Sequence, residues 1–192
     1  MSKIINISLV GVGGQGTLLA SEILCMTALL SGKDVKKNEV HGMAQRGGSV
    51  ISQVRIGDKV NSPLIALGET DYLIAFEKLE ALRYAHYLAP SGIAMVNDQE
   101  IRPVTVSSGQ AVWPEDIDGK LKASYKNLKL LPALDIAKEL GNVRVVNVVM
   151  IGALSANTDI SEEIWQESIK RLVKPNFQKL NLKAFEAGRA YK

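Results

Sequence analysis

Near the start of the sequence, five residues have the types and spacing of an anion-binding turn. Gly11, Gly13 and Gly16 form the pattern G-x-G-x-x-G, with an apolar run before them and a helical pattern after them. In that context a strand turns into a helix, and backbone N–H groups approach an anion. Gly14 and Gln15 add no apolar bulk to the turn. The pattern predicts a contact surface for a ligand, a partner chain or both.

A second glycine-rich segment follows the second predicted strand. Loops with this composition serve binding more often than packing. Arg46 is the only fixed cation in the segment, and it can pair with a phosphate or a carboxylate through two N–H groups, or form an interface salt bridge. Gln15 and Gln45 could donate to the same anion or could only tie the two loops together. We expect a substrate or subunit interface here, formed by His41, Gly42, Met43, Gln45, Gly47 and Gly48.

The composition is that of an ordinary globular protein. Of its 192 residues 46% are hydrophobic and 22% charged, and no apolar run approaches the roughly 18 residues that a membrane helix needs. The length fits one domain over residues 1–192. No secretory signal is visible, so we expect the chain in the cytoplasm. Cys25 is the only cysteine, which excludes an internal disulfide and a cysteine-ligated metal site. The net charge of +3 is too small to indicate nucleic-acid binding.

Strand and helix patterns alternate in the first half, and helical patterns dominate the second half. They predict a three-layer Rossmann-like α/β domain with a largely parallel, mixed sheet and a helical C-terminal part. Because the two glycine-rich loops follow successive strands, we expect them side by side at the carboxyl ends of the strands. The expected strands are 4–10, 35–40, 49–56, a short returning strand 59–62, 71–76, 93–96 and 101–106. The expected helices are 17–31, 77–89, 132–140, 147–156 and 161–173, with 107–129 irregular. From Phe177 to near the end of the sequence the apolar residues keep helical spacing.

Two enzymatic hypotheses can be weighed against these residues. In a stand-alone NAD(P)-binding or other nucleotide-binding Rossmann oxidoreductase, an acid about 20 residues past the turn holds a ribose hydroxyl, and Glu39 stands near that distance. Independent acid–base or hydrolytic catalysis would need one of the two histidines, His41 and His86. His86 shares an apolar helical face, and no nucleophile is implicated beside His41. A third hypothesis is a subunit that forms one wall of a larger enzyme's site.

A family resemblance favours the third hypothesis. The residues that carry it are GVGGQG at 11–16, EVHGMAQRGG at 39–48 and SPLI at 62–65. With these motifs the chain resembles the small, gamma-type subunit of the 2-oxoacid:ferredoxin oxidoreductases, in particular the beta subunit of the indolepyruvate branch. The resemblance covers essentially the whole chain, and the second motif is more specific than the first.

The resemblance implies oxidative decarboxylation of an arylpyruvate with coenzyme A as co-substrate and ferredoxin as electron acceptor. It places thiamine diphosphate and the iron–sulfur clusters on a larger partner subunit, so this chain would bind no cofactor tightly and would be inactive alone. The turn residues Gly11, Gly13, Gly14, Gln15 and Gly16, together with Arg46, are expected to accommodate coenzyme A or to shape the substrate entrance. Ferredoxin would be reached through the partner. Independently of the resemblance, the glycine-rich loops and the predicted helix with His86 indicate that this chain covers surface in a homodimer or heteromer.

Overall fold

The structure is a computed structural model that describes residues 4–41 and 48–191, without the side chain of His41. The described residues form six strands and eight α-helices. The strands are β1 (Ile5–Val12), β2 (Asp34–His41), β3 (Ser49–Gly57), β4 (Thr70–Ala75), β5 (Leu88–Asn97) and β6 (Leu128–Leu131). The helices are α1 (Thr17–Leu30), α2 (Lys78–Arg83), α3 (Val104–Ser107), α4 (Ile117–Ser124), α5 (Ala133–Glu139), α6 (Val146–Ser155), α7 (Glu162–Leu172) and α8 (Pro175–Ala190).

The six strands form one mixed sheet in the order β2-β3-β1-β4-β5-β6. β3 is antiparallel to both of its neighbours, whereas β1, β4, β5 and β6 pair in parallel. This confirms the largely parallel, mixed sheet. The expected strand 59–62 is wrong, because side chains of β2 and β3 form hydrogen bonds with the backbone of this segment. Asp34 accepts from the N–H of Val60 at 2.8 Å, and Arg55 donates to the carbonyl of Ser62 at 3.0 Å.

Helices cover both faces of the sheet, which gives the three layers that the sequence predicts. One face carries the larger core, to which α1, α5, α6, α7 and α8 contribute. Trp165 and Phe185 are its largest fully buried aromatic side chains besides Phe76. The other face packs against α2 and α4 through a smaller core around Leu73, Val96 and Leu121. The larger core explains the helical C-terminal part, since four of its five helices come from residues 133–190.

Several predicted boundaries are corrected near the centre of the chain. The expected helix 77–89 ends at Arg83, and β5 already begins at Leu88, so Pro90 lies inside a strand. The ladder tolerates this proline because the register shifts there: Thr70 faces Leu88 while Tyr72 faces Ile93. The expected strand 101–106 is also wrong, since it is partly the short helix α3. The irregular span 107–129 contains α4 and the start of β6.

Candidate functional site

The glycine turn (Gly11–Gly16) lies at the edge of the sheet where β1 ends, which we call the carboxyl edge. β3 begins at this edge beside the turn, and Ser49 is the register partner of Val12. The N–H of Gly13 donates to the carbonyl of Gly48 at 2.9 Å. The turn and the end of the second loop therefore lie side by side, as expected. The reason differs from the one predicted: β3 lies between β1 and β2, and its own start brings Gly48 to the turn.

The backbone of the turn requires glycine at two positions. Gly14 has a φ of 102° and Gly16 a φ of 81°, in the left-handed region that disfavours a side chain. Gly14 is exposed, and a Cβ atom built there would meet nothing within 4 Å. A Cβ at Gly16 would lie 2.6 Å from the side-chain nitrogen of Asn147. Gly14 is thus the bare point of the turn, whereas Gly16 is enclosed.

Gln15 uses its side-chain amide to hold the turn in place. Its Nε2 donates to the carbonyl of Phe76 at 2.9 Å, and its Oε1 accepts from the N–H of Val12 at 2.9 Å. The amide joins the turn to the residue after β4. A Cβ at Gly11 would lie 2.8 Å from the same Oε1, so Gly11 leaves room for the amide. Among the described residues, the partners of the Gln15 side chain are Phe76 and Val12, and neither belongs to the second loop.

Asn147 is a site residue that sequence reasoning missed. Its side chain is 2% exposed, and Nδ2 donates to the carbonyl of Gly16 at 3.1 Å, from 131 residues further along the chain. Its Oδ1 accepts from the N–H of Val148 at 2.9 Å. The available signal was a single amide inside the otherwise apolar helix α6. An amide buried in such a run needs partners, and the turn supplies one of them.

Two buried carboxylates follow β4 at the same edge, and sequence reasoning missed both. Glu77 is fully buried, and its carboxylate accepts from the N–H groups of Leu79 and Glu80 at the start of α2. Burial raises the pKa of Glu77 despite these hydrogen bonds. Glu80 is 2% exposed and accepts from the hydroxyl of Ser49, while Arg83 lies 3.0 Å away. Burial likewise raises the pKa of Glu80, and Ser49 and Arg83 oppose that shift.

Lys78, the first residue of α2, pairs with carboxylates outside that helix. Its ammonium group lies 2.7 Å from both Asp98 and Asp118 and 3.7 Å from Glu100. Asp118 and Asp98 raise the pKa of Lys78 against the opposing effect of burial. Lys78 therefore joins α2 to the segment after β5 and to α4, and it stays charged at neutral pH.

Glu39 and His86 do not occupy the positions that the enzymatic hypotheses require. Glu39 accepts from Ser21 at 3.0 Å and pairs with Lys37 at 3.3 Å, on the face of β2 that packs against α1. Its carboxylate is engaged away from the turn, which counts against a ribose contact. His86 is exposed in a short 3-10 turn and stacks with Tyr84, with the ring centres 6.4 Å apart. The apolar helical face predicted for His86 is wrong.

Cys25 and the acidic residues of the described chain offer no metal centre. Burial raises the pKa of Cys25 to about 11, so the thiol stays protonated at neutral pH. Among residues 4–41 and 48–191, no group of three histidine, cysteine or carboxylate side chains could hold a metal ion. In the same residues no helix has the length and apolar character needed to cross a membrane.

A cavity of about 890 Å³ lies at the opposite edge of the sheet. Tyr72, Ile93 and Asn157 line it, together with the end of α1 and the start of α7. Its polar groups bond to one another: the Tyr72 hydroxyl donates to the carbonyl of Asn157 at 2.7 Å. None of the predicted site residues that the structure describes lines it. The glycine turn and Gly48 lie at the other edge of the sheet.

Part of the predicted site lies outside the described residues: Gly42, Met43, Gln45, Arg46 and Gly47. The backbone of His41 ends β2 at the carboxyl edge. Among the described residues, the structure brings together the glycine turn, Gly48, Ser49 and the two buried carboxylates. This arrangement defines a Rossmann-like α/β domain whose carboxyl edge presents backbone and amide groups. Such groups position and shield a reaction more readily than they break bonds.

Known proteins share this fold and sequence. The family model described as pyruvate ferredoxin/flavodoxin oxidoreductase matches residues 6–191. The chain is 42% identical over 195 residues to the indolepyruvate oxidoreductase subunit IorB of Thermococcus kodakarensis, covering 95% of this chain and 93% of that protein. It is 30% identical over 190 residues to the ketoisovalerate oxidoreductase subunit VorA of Methanothermobacter thermautotrophicus, covering 96% of this chain and 35% of that protein.

A solved structure agrees with the sequence matches. The gamma subunit of a keto/oxoacid ferredoxin oxidoreductase from Geobacter sulfurreducens has a TM-score of 0.72 and 27% identity, with 96% of this chain and 95% of that chain covered. The chain belongs to the pyruvate ferredoxin/flavodoxin oxidoreductase family. It is a subunit of a 2-oxoacid:ferredoxin oxidoreductase and hence part of an oxidoreductase. The comparisons do not favour the alternative of a stand-alone nucleotide-binding enzyme.

Proposed function

We propose that this chain is the small subunit of an indolepyruvate-type 2-oxoacid:ferredoxin oxidoreductase, and that residues 1–192 form one gamma-type domain of that enzyme. The identity to IorB over almost the full length of both proteins supports the arylpyruvate substrate class. In the reaction, an arylpyruvate and the thiol of coenzyme A give an aryl-acetyl-coenzyme A, carbon dioxide and one proton, and two electrons pass to oxidised ferredoxin. The proposed place of action is the cytoplasm.

A larger partner subunit carries the cofactors in this proposal. The aligned part of VorA is 35% of that protein, so a similar domain there is joined to much further polypeptide. For this chain, the corresponding polypeptide would be a separate subunit, and ferredoxin would be reached through it. Thiamine diphosphate and iron–sulfur clusters would supply decarboxylation and electron transfer from that subunit. Cys25 does not fit a cluster, because one protonated thiol cannot replace the four ligands that a cluster needs.

The hydrogen bond between Gly13 and Gly48 carries the functional proposal. It joins the glycine turn to Gly48 at the end of the second loop, which supports one shared surface of the two segments at the carboxyl edge. This surface would face the partner subunit and accommodate coenzyme A. Gly11, Gly13, Gly14, Gln15 and Gly16 would supply the turn, and Arg46 would pair with a phosphate of the coenzyme. His41, Gly42, Met43, Gln45, Gly47 and Gly48 would form the substrate or subunit interface.

Substitution of Arg46 tests the coenzyme contact in the complex reconstituted with the larger subunit. Arg46→Ala should raise the KM for coenzyme A about tenfold, because a charge-assisted hydrogen bond contributes about 1.5–3 kcal/mol. Steady-state kinetics at saturating arylpyruvate measures this. Arg171→Ala is the matched control, since Arg171 is half exposed on α7 and pairs only with Glu167 among the described residues. An unchanged KM in the Arg46 variant would rule out the contact.

Co-expression tests the partner. The tagged chain should elute with the large subunit in size-exclusion chromatography, with both iron–sulfur absorbance and thiamine diphosphate in that fraction. The chain purified alone should have neither and should not reduce ferredoxin. A chain that elutes unchanged when the large subunit is present would contradict the proposal.

A further inference from the structure

A buried carboxylate lies against the start of β3, beside the glycine turn. Glu80 is 2% exposed, and its Oε2 accepts from the hydroxyl of Ser49. The hydroxyl of Tyr84 lies 3.1 Å from the same Ser49 oxygen, and Arg83 pairs with the other carboxylate oxygen at 3.0 Å. A carboxylate buried to this extent is costly unless its oxygens have partners. Ser49 is therefore held where Glu80 can bond to it.

Ser49 is covalently joined to Gly48, and Gly48 accepts the hydrogen bond of Gly13. The hydroxyl bond to Glu80 thus fixes the carbonyl to which Gly13 donates at 2.9 Å. In the register of the sheet, Ser49 also faces Val12, the residue before Gly13. The position of the turn relative to β3 depends on this short path from Glu80 through Ser49 and Gly48.

A second path joins Glu80 to the turn from the other side. The N–H of Glu80 donates to Oε1 of Glu77, which follows Phe76 in the chain. The carbonyl of Phe76 accepts from Nε2 of Gln15 at 2.9 Å. The two paths close a ring of hydrogen bonds and covalent links around the carboxyl edge. Because the second path uses the backbone N–H of Glu80, only the first depends on its carboxylate.

We propose that Glu80 is a positioning residue for the glycine turn, acting through Ser49 and Gly48, and that it sets the affinity of the assembled enzyme for coenzyme A. The inference rests on the proposed function, because the turn must face the coenzyme. Glu80 itself touches neither substrate nor cofactor. It fixes Ser49 and Gly48 so that Gly13 holds the turn in one conformation.

Hydrogen exchange of the full-length chain tests the structural half of the inference. Ser49→Ala removes only the hydroxyl, and peptides containing Gly13 should then exchange about tenfold faster by mass spectrometry, because a lost hydrogen bond weakens local protection. Glu80→Ala should act in the same direction. Glu80→Gln keeps an acceptor oxygen and should restore most of the protection. Ser52→Ala is the matched control: it lies on the same strand, it bonds to Glu39 at 3.4 Å, and it should leave the Gly13 peptides unchanged.

Kinetics of the reconstituted complex tests the functional half. Ser49→Ala should raise the KM for coenzyme A about fivefold and leave kcat within about twofold, because a misplaced turn weakens binding without changing the chemistry on the partner. Ser52→Ala should leave both constants unchanged. A merely structural role of Ser49 would lower the amount of active complex and leave KM unaltered.

Two results would overturn the inference. Unchanged exchange of the Gly13 peptides in Ser49→Ala and Glu80→Ala would show that Glu80 does not position the turn. Faster exchange with an unchanged KM would show that the position of the turn does not matter to coenzyme A. In that second case, a raised KM in Arg46→Ala would still support the proposed function, so the two failures are distinguishable.

Discussion

Glycine has opposite surroundings in two regions of this molecule. Where α6 crosses α8, a Cβ built at Gly188 would lie 1.9 Å from the carbonyl oxygen of Val149. One built at Gly152 would lie 2.1 Å from the carbonyl oxygen of Phe185. At the glycine turn, a Cβ at Gly14 would meet nothing within 4 Å. The helices use glycine to bring their backbones together, whereas the turn leaves open space beside its glycine.

The two regions need glycine for different reasons. Gly152 and Gly188 allow close backbone packing, whereas Gly14 allows an exposed left-handed turn. At Gly152 and Gly188, the space is filled by the chain's own backbone, so no other molecule can use it. At Gly14, the left-handed backbone requires glycine, but no part of the described chain fills the space beside it. An open, polar point next to the second loop is what a docking or coenzyme surface needs. The comparison predicts that substitutions in the two regions fail in different ways.

The largest expected effect is on folding, at the α6–α8 crossing. Gly188→Ala forces the two helices apart and should lower the free energy of unfolding by about 3 kcal/mol, the upper range for overpacking a core. Urea unfolding followed by circular dichroism measures it. Glu186→Ala on the exposed face of α8 should change stability by less than about 0.5 kcal/mol. Equal stability of the two variants would mean that the helices are not in backbone contact.

The sequence predicts the contact between α6 and α8 in part, but it predicts hardly any of the hydrogen bonds around the glycine turn. Gly152 lies in an apolar helical run, a pattern that suits close helix packing, whereas no local pattern marks Gly188 as the glycine that faces it. The fold class followed from alternating strand and helix patterns. The place of β3 between β1 and β2 did not, because strand order is decided by long-range pairing that local patterns do not contain. Glu80 is recognisable only once its distant partner Ser49 is known. The amide of Asn147 in an apolar helix indicates a buried partner, but not that this partner is Gly16.

A smaller effect on stability, with a separate effect on assembly, is expected at the turn. Gly14→Ala should cost about 1–2 kcal/mol, the strain of a left-handed residue. Gly32→Ala is its matched control, since Gly32 has a φ of 73° and open space but lies after α1 at the other edge. Both variants should unfold at similar urea concentrations. Only Gly14→Ala should weaken co-elution with the large subunit; equal assembly of both would place the partner surface elsewhere.

The smallest effect is a pH dependence of stability at the carboxyl edge, where Glu77 is buried. The α6–α8 crossing should show no such dependence, because its backbone contacts do not titrate. Burial raises the pKa of Glu77 in the folded chain, so folding binds protons there. Its contribution to stability is fully present below the ordinary carboxyl pKa and is lost as the pH rises through the raised value. The difference in unfolding free energy between the unmodified chain and Glu77→Gln should therefore move in favour of Gln as the pH rises from about 4 to 7.

Glu163→Gln is the control and should show a pH dependence of the opposite sign, because a backbone hydrogen bond lowers the pKa of the exposed Glu163. Urea titrations at several pH values measure both, and parallel pH curves for the two pairs would show that Glu77 does not titrate as its burial requires.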